Sequence, residues 1–236
     1  MNSYILLTTA CVYFILALYY YNRPNLLMLW LSYLPTLLHE FGHALACQLT
    51  GGKVSDIVIV TRQSERRATS RNGYVISHTT TPWNRFATFI AGYLSPPSFL
   101  MIGVFCVIHE WTLWFWLLMG LVFTYYLLKT SRKLFPLFVL ILLFGGCYFY
   151  FQYPDLVSLE LISNGFIYIL LGILLADTIL CSYTITLIYF QANNSWDGAM
   201  LSSLTKLPVL VYYLLFISFH FLSCWFVIKL LIGNLN

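Results

Sequence analysis

Charge is scarce in this sequence. Only 8 % of its 236 residues are Asp, Glu, Lys or Arg, against 60 % hydrophobic and 19 % aromatic. A soluble domain carries about a quarter charged residues. So few charges cannot cover a water-facing surface, which makes lipid the solvent for most of the chain and excludes a large separate soluble domain. Cysteine is sparse and scattered. Cys11, Cys47, Cys106, Cys147, Cys181 and Cys224 each stand in a hydrophobic segment without any CxxC pair, which speaks against a cysteine-bound metal cluster or a disulfide framework and leaves small packing residues. No Lys or Arg precedes the first apolar run, and no small-x-small cleavage signal comes before Arg23. Met1 to Tyr21 is therefore expected to be a retained first span rather than a signal peptide.

What is abundant is long apolar stretches. Crossing about 30 Å of hydrocarbon takes roughly 20 helical residues. Seven stretches qualify, roughly Tyr4–Tyr21, Leu26–Thr50, Phe86–Ile108, Trp111–Leu128, Phe135–Phe151, Phe166–Phe190 and Val209–Ile232. Lipid offers no partner to backbone polar groups, so these are expected to be helices. The fold class is an all-α polytopic membrane protein, a bundle of about six to seven transmembrane helices in a single domain over residues 1–236. With the N-terminus in the cytosol, Lys53, Arg62, Arg66, Arg67, Arg71, Arg85, Lys129, Arg132, Lys133 and Lys206 all fall on the cytosolic side. Only Arg23 and Lys229 fall outside, while Glu110, Asp155 and Glu160 lie in outer loops. The positive-inside rule supports that orientation, with the cell (cytoplasmic) membrane as the expected location. The net charge of +4 then reflects orientation and contacts with lipid headgroups, not nucleic acid.

One segment breaks the pattern. Residues 51–85 contain the long polar stretch, with β-branched runs around Val54–Val60 and Tyr74–Ser77 flanking an Arg-rich middle. This composition predicts a β-hairpin or small sheet on the cytosolic side. Glu65 is expected to pair within that loop.

The chemistry concentrates in His39-Glu40-Phe41-Gly42-His43, within the second stretch. Residues four apart share one helix face, so both imidazoles can reach one ion. Glu40 beside them can act as general base on a water whose pKa the metal lowers, and the metal also polarises a scissile carbonyl. A chance match, with two histidines hydrogen-bonded in a bundle core, is the bland alternative. Against it stands the cost of ionisable groups deep in a membrane span, which marks them as functional. One zinc ion per chain is the expected cofactor. A catalytic zinc takes three protein ligands plus water. The extended HExxHxxGxxH form is absent, because Ala46 and Leu49 occupy its positions. Glu110 and Glu160 lie on the far side, and elimination leaves Asp177 and Asp197. Each has a structural alternative, Asp197 as a helix N-cap and Asp177 as a buried hydrogen-bonded acid.

The run LLHEFGHALACQLTGGKVSDIVI, with AGYLSPPSFLMIG at 91–103 and NNSWDGAMLSSLTKLP at 193–208, resembles the site-2 protease family in its compact branch without a PDZ domain. The resemblance spans nearly the whole chain. It implies zinc held by His39, His43 and Asp197, Glu40 as base, and a β-structured loop that presents an extended substrate. Trp196 stands where the family has Leu before Asp-Gly, and the Asn-x-x-Pro lead-in is missing. Asn193 and Asn194 could donate to an oxyanion. Ala91-Gly92-Tyr93 supplies small residues for close helix packing near the site, and Pro96-Pro97 could form a hinge.

The sequence therefore predicts a zinc-dependent intramembrane endopeptidase acting on transmembrane protein substrates in the bilayer, with a site-2 protease-like role. A catalytically inactive membrane scaffold or chaperone retaining the fold is the alternative, and the intact Glu40 argues against it. A di-iron desaturase would need several His boxes, and this chain has one.

Overall fold

The computed structural model describes residues 3–20, 25–152, 157–191 and 196–233. Arg23 and Asp155, two of the orientation charges, and the Asn193-Asn194 pair expected at an oxyanion lie outside the described residues. The apolar stretches close their own backbone hydrogen bonds as helices, as a hydrocarbon solvent requires. In chain order the elements are α1 (Ser3–Tyr19), α2 (Leu26–Leu31), α3 (Tyr33–Leu49), β1 (Lys53–Ile59), α4 (Gln63–Thr69), β2 (Gly73–His78), α5 (Pro82–Ile108), α6 (Thr112–Lys129), α7 (Leu134–Gln152), α8 (Val157–Phe190), α9 (Asp197–Thr205) and α10 (Val209–Gly233).

Four described stretches, Pro82–Ile108, Thr112–Lys129, Ser163–Phe190 and Val209–Leu231, are long and apolar enough to cross a membrane. Ser3–Tyr19 and Leu134–Phe149 are apolar but shorter. The predicted second span, Leu26–Thr50, is two helices that meet at Ser32. Pro35 explains the break, since it has no N–H for the Leu31 carbonyl and its ring crowds that carbonyl. Asn25 caps α2 by accepting from the Leu27 N–H at 2.8 Å. The third span starts earlier than hydropathy alone indicates. The Thr81 hydroxyl accepts from the Asn84 N–H at 3.1 Å, and Pro82 occupies the first helical turn where its missing N–H costs nothing.

Leu121, Phe138, Ile141 and Phe221 are exposed on the outer faces, as suits a lipid surround. The main core joins Leu6 and Tyr13 of α1, Leu37 and Leu38 of α3, Leu100 and Val104 of α5, Phe115 of α6 and Leu171 of α8. A second, smaller core gathers Ile185, Trp196, Leu201, Tyr212 and Phe216 around α9 and the start of α10.

β1 and β2 pair antiparallel from Lys53↔His78 to Ile59↔Gly73, with an irregularity between Val54 and Asp56. The Arg-rich middle is not plain loop, since α4 forms there from the helix-favouring run Gln63-Ser64-Glu65-Arg66-Arg67-Ala68. Glu65 does not pair within this segment as expected. It binds Arg132 of the α6–α7 connection, whose second guanidinium nitrogen donates to the Ile59 carbonyl at 3.0 Å. The Glu65 carboxylate holds the Arg132 guanidinium above its ordinary pKa. The Ser131 N–H donates to Asp56 at 2.8 Å. The α6–α7 connection thus holds this segment at β1 and at α4.

Candidate metal centre

The box lies on α3, and α5 runs antiparallel beside it. Gly42 allows the close approach: a Cβ there would stand 2.6 Å from the Ala91 carbonyl oxygen and 2.7 Å from the Ser95 Cβ. Gly92 does the same from the other side. A Cβ at position 92 would overlap the His43 ring and lie 3.0 Å from Cε1 of His39. At the far end of the pair the Asn84 amide donates to the Cys47 carbonyl at 2.7 Å, satisfying a carbonyl in the last turn of α3.

His39 and His43 share a face, as their spacing predicts, with ring centroids 4.6 Å apart. His43 Nδ1 lies 2.7 Å from the Thr88 carbonyl oxygen. A carbonyl only accepts, so this bond puts the proton on Nδ1 and leaves the Nε2 lone pair free to coordinate. Carbonyl-to-imidazole bonds of this kind orient metal-binding histidines.

Asp197 opens α9, but it is not the N-cap. Trp196 takes that position in an extended conformation, and its carbonyl accepts from the Ala199 and Met200 N–H groups at 3.0 and 3.1 Å. The carboxylate is thereby free to turn toward α3, and Asp197 Oδ2 lies 3.3 Å from His43 Nε2 and 3.7 Å from His39 Nε2. The two histidine Nε2 atoms are 3.1 Å apart. Zinc bonds of about 2.0–2.2 Å in tetrahedral geometry place neighbouring ligand atoms about 3.3–3.6 Å apart. The triangle's edges of 3.1, 3.3 and 3.7 Å bracket that length, and two neutral imidazoles with one carboxylate are a donor set that zinc accepts. His39, His43 and Asp197 therefore could hold a metal ion.

Asp177, the other acid left by elimination, is outside this group. Its Oδ1 accepts from the Tyr13 hydroxyl of α1 at 3.2 Å. Glu40 is buried, and its side chain faces the start of β2. A Cβ at Gly73 would stand 3.0 Å from Glu40 Cγ and 3.2 Å from Oε1. The bare backbone of Gly73 brings the strand up against that acid. The Tyr93 ring meets His39 edge-on at 4.8 Å and packs on Trp196 at 6.2 Å. Residue-type reasoning does not find the Thr88 carbonyl, because every residue carries one. It does find the Ala91-Gly92-Tyr93 run, and the glycine proves to be the position that gives the rings their space.

No curated protein and no solved structure matches this chain. A family model described as Peptidase M50B-like matches residues 6–227.

Proposed function

The chain belongs to the Peptidase M50B-like family, a family of membrane metallopeptidases, and on that premise we propose that it is a zinc-dependent intramembrane endopeptidase. The observation that carries this reading is the triangle of His39 Nε2, His43 Nε2 and Asp197 Oδ2, with edges of 3.1, 3.3 and 3.7 Å beside a buried Glu40. His39, His43 and Asp197 hold the ion. When bound, zinc supplies a Lewis acid that polarises the scissile carbonyl and lowers the pKa of water.

The remaining work falls to the chain's own residues. Glu40 accepts the proton of the attacking water and hands it to the leaving amide nitrogen. The Thr88 carbonyl keeps the His43 ring in the tautomer that leaves Nε2 available. A substrate helix hides its amides, so it must unwind before its carbonyl can be attacked. In the β1–β2 sheet each strand has one partner, which leaves an outer edge where an extended segment can add by backbone pairing. β2 begins at Gly73 against Glu40, so a segment paired there is delivered beside the base.

Arg62, Arg66, Arg67 and Arg71 lie on the hairpin and its connection, and Lys129, Arg132 and Lys133 at the adjoining α6–α7 connection. This collection of cations at the hairpin end supports a cytosolic position for it in a cytoplasmic membrane. Substrates of the enzyme are transmembrane proteins with cleavage sites near that face.

The test is zinc content and cleavage of a model membrane substrate by the purified protein in lipid nanodiscs. One zinc per chain with cleavage is expected. A folded protein that binds no zinc under these conditions, or that binds it and cleaves nothing, would overturn the proposal.

A further inference from the structure

Pro96 and Pro97 stand consecutively inside α5. Neither has an N–H. In an uninterrupted helix those two N–H groups would bond the carbonyls four residues back, of Gly92 and Tyr93. Both carbonyls are thus deprived of their helical donors.

The Tyr93 carbonyl is met by an imidazole from another helix. His220 of α10 places Nε2 at 3.0 Å from the Tyr93 carbonyl oxygen. One turn further on, the Ser223 hydroxyl donates to the Pro97 carbonyl at 3.1 Å. His220 is 1 % exposed, and its Nδ1 lies 2.9 Å from Ser182 Oγ of α8. The Tyr93 carbonyl can only accept, so the proton sits on His220 Nε2, and Nδ1 faces a Ser182 hydroxyl that also reaches the Thr178 carbonyl at 2.9 Å. An ionisable side chain at this depth is expensive to keep. Nothing in the hydrolytic chemistry requires His220 to touch a substrate.

Tyr93 links this network to the site. Its carbonyl is held by His220, and its ring lies edge-on to His39, 4.9 Å from Phe216 and 6.2 Å from Trp196, the residue before Asp197. We propose that His220 is a positioning residue for the metal centre: by binding the carbonyl that Pro97 releases, it fixes Tyr93, and through the Tyr93 ring it sets the orientation of His39 and the seating of the Trp196-Asp197 turn. This inference rests on His39, His43 and Asp197 being the zinc ligands.

The experiment compares native protein with His220→Leu and His220→Gln, purified in lipid nanodiscs. Zinc affinity is measured by titration against a competing chelator, and ligand geometry by the visible absorption of the cobalt-substituted protein. His220→Leu removes the donor and should weaken zinc binding by about tenfold, in the range that outer-shell losses cost. It should also alter the cobalt spectrum while helix content by circular dichroism stays native. His220→Gln can still offer an N–H to the Tyr93 carbonyl and should restore both readouts toward native. Native zinc affinity and an unchanged cobalt spectrum in folded His220→Leu overturn the proposal, and so does a Gln variant as impaired as the Leu variant. Should His220→Leu fail to fold, His220→Asn carries the same expectation, because its amide ends short of that carbonyl; unchanged affinity there also overturns it. Failure of the native chain to bind zinc removes the metal centre itself, a result distinct from the first.

Discussion

The Tyr13 hydroxyl donates to Asp177 Oδ1 at 3.2 Å, tying α8 to α1 through the acid that elimination leaves level with Asp197. Asp197, by contrast, lies 3.3 Å from His43 Nε2. Separate substitution should distinguish them. Asp197→Asn is expected to lower zinc affinity by more than the roughly 10–100-fold cost of losing an outer-shell partner. Asp177→Asn should leave zinc stoichiometry at the native level. Both are checked by metal analysis after dialysis, and loss of zinc in Asp177→Asn alone would reverse the assignment.

Glu40 is not among the three residues grouped for the ion. Glu40→Gln should therefore retain zinc while cleavage of a model membrane substrate falls by about 10²–10⁴-fold, the usual contribution of a positioned general base. Metal content and single-turnover rates on the same preparation test this. Equal rates in the two proteins would remove Glu40 from the mechanism.

Gly92 and Gly120 should respond oppositely to alanine. At position 92 the added methyl overlaps the His43 ring, whereas at position 120 nothing lies within 4 Å of it. Gly92→Ala should release zinc and lower thermal stability, because neither α3 nor the imidazole can retreat without losing the Thr88 bond. Gly120→Ala should keep native zinc content and melt slightly higher, because an unobstructed position inside α6 gains from alanine. Melting curves with and without zinc provide the comparison.

Arg132 holds the hairpin from outside it, through Glu65 and the Ile59 carbonyl. Arg132→Gln should loosen strand β1 while leaving the His39–His43–Asp197 triangle intact. The expected kinetic signature is a raised KM with kcat and zinc content near native, since an edge that binds an extended substrate would be less ordered. Hydrogen exchange at Val58 to Val60 should accelerate in the same variant. A fall in kcat alone would place Arg132 elsewhere in the cycle.

Much of the fold is legible in hydropathy, because a bilayer solvent leaves helices as the economical arrangement for apolar runs. The break at Ser32 escapes a hydropathy count, although Pro35 is in plain view and removes the donor that would carry a helix through. The hairpin is readable from its β-branched runs. The α4 helix between them is hidden by attention to its arginines, and the Glu65–Arg132 contact by its length along the chain. In the site, His39, Glu40 and His43 are readable because helical periodicity alone brings the imidazoles together. Asp197 is readable only through the family resemblance, since no local spacing rule links it to α3, and elimination does not separate it from Asp177. The carbonyls of Thr88, Gly92 and Tyr93 are the least legible of all. Only Pro96-Pro97 hints that two of them want partners.

The antiparallel match between α3 and α5 has a consequence for how this sequence can vary. Thr88 serves His43 with a main-chain oxygen, so its side chain can change while the service continues. The phase of α5 cannot. Inserting a single residue between Thr88 and Gly92 would rotate the rest of the helix by about 100°. The oxygen at 88 and the bare face at 92 would then point in different directions, and the two imidazoles would lose their common footing.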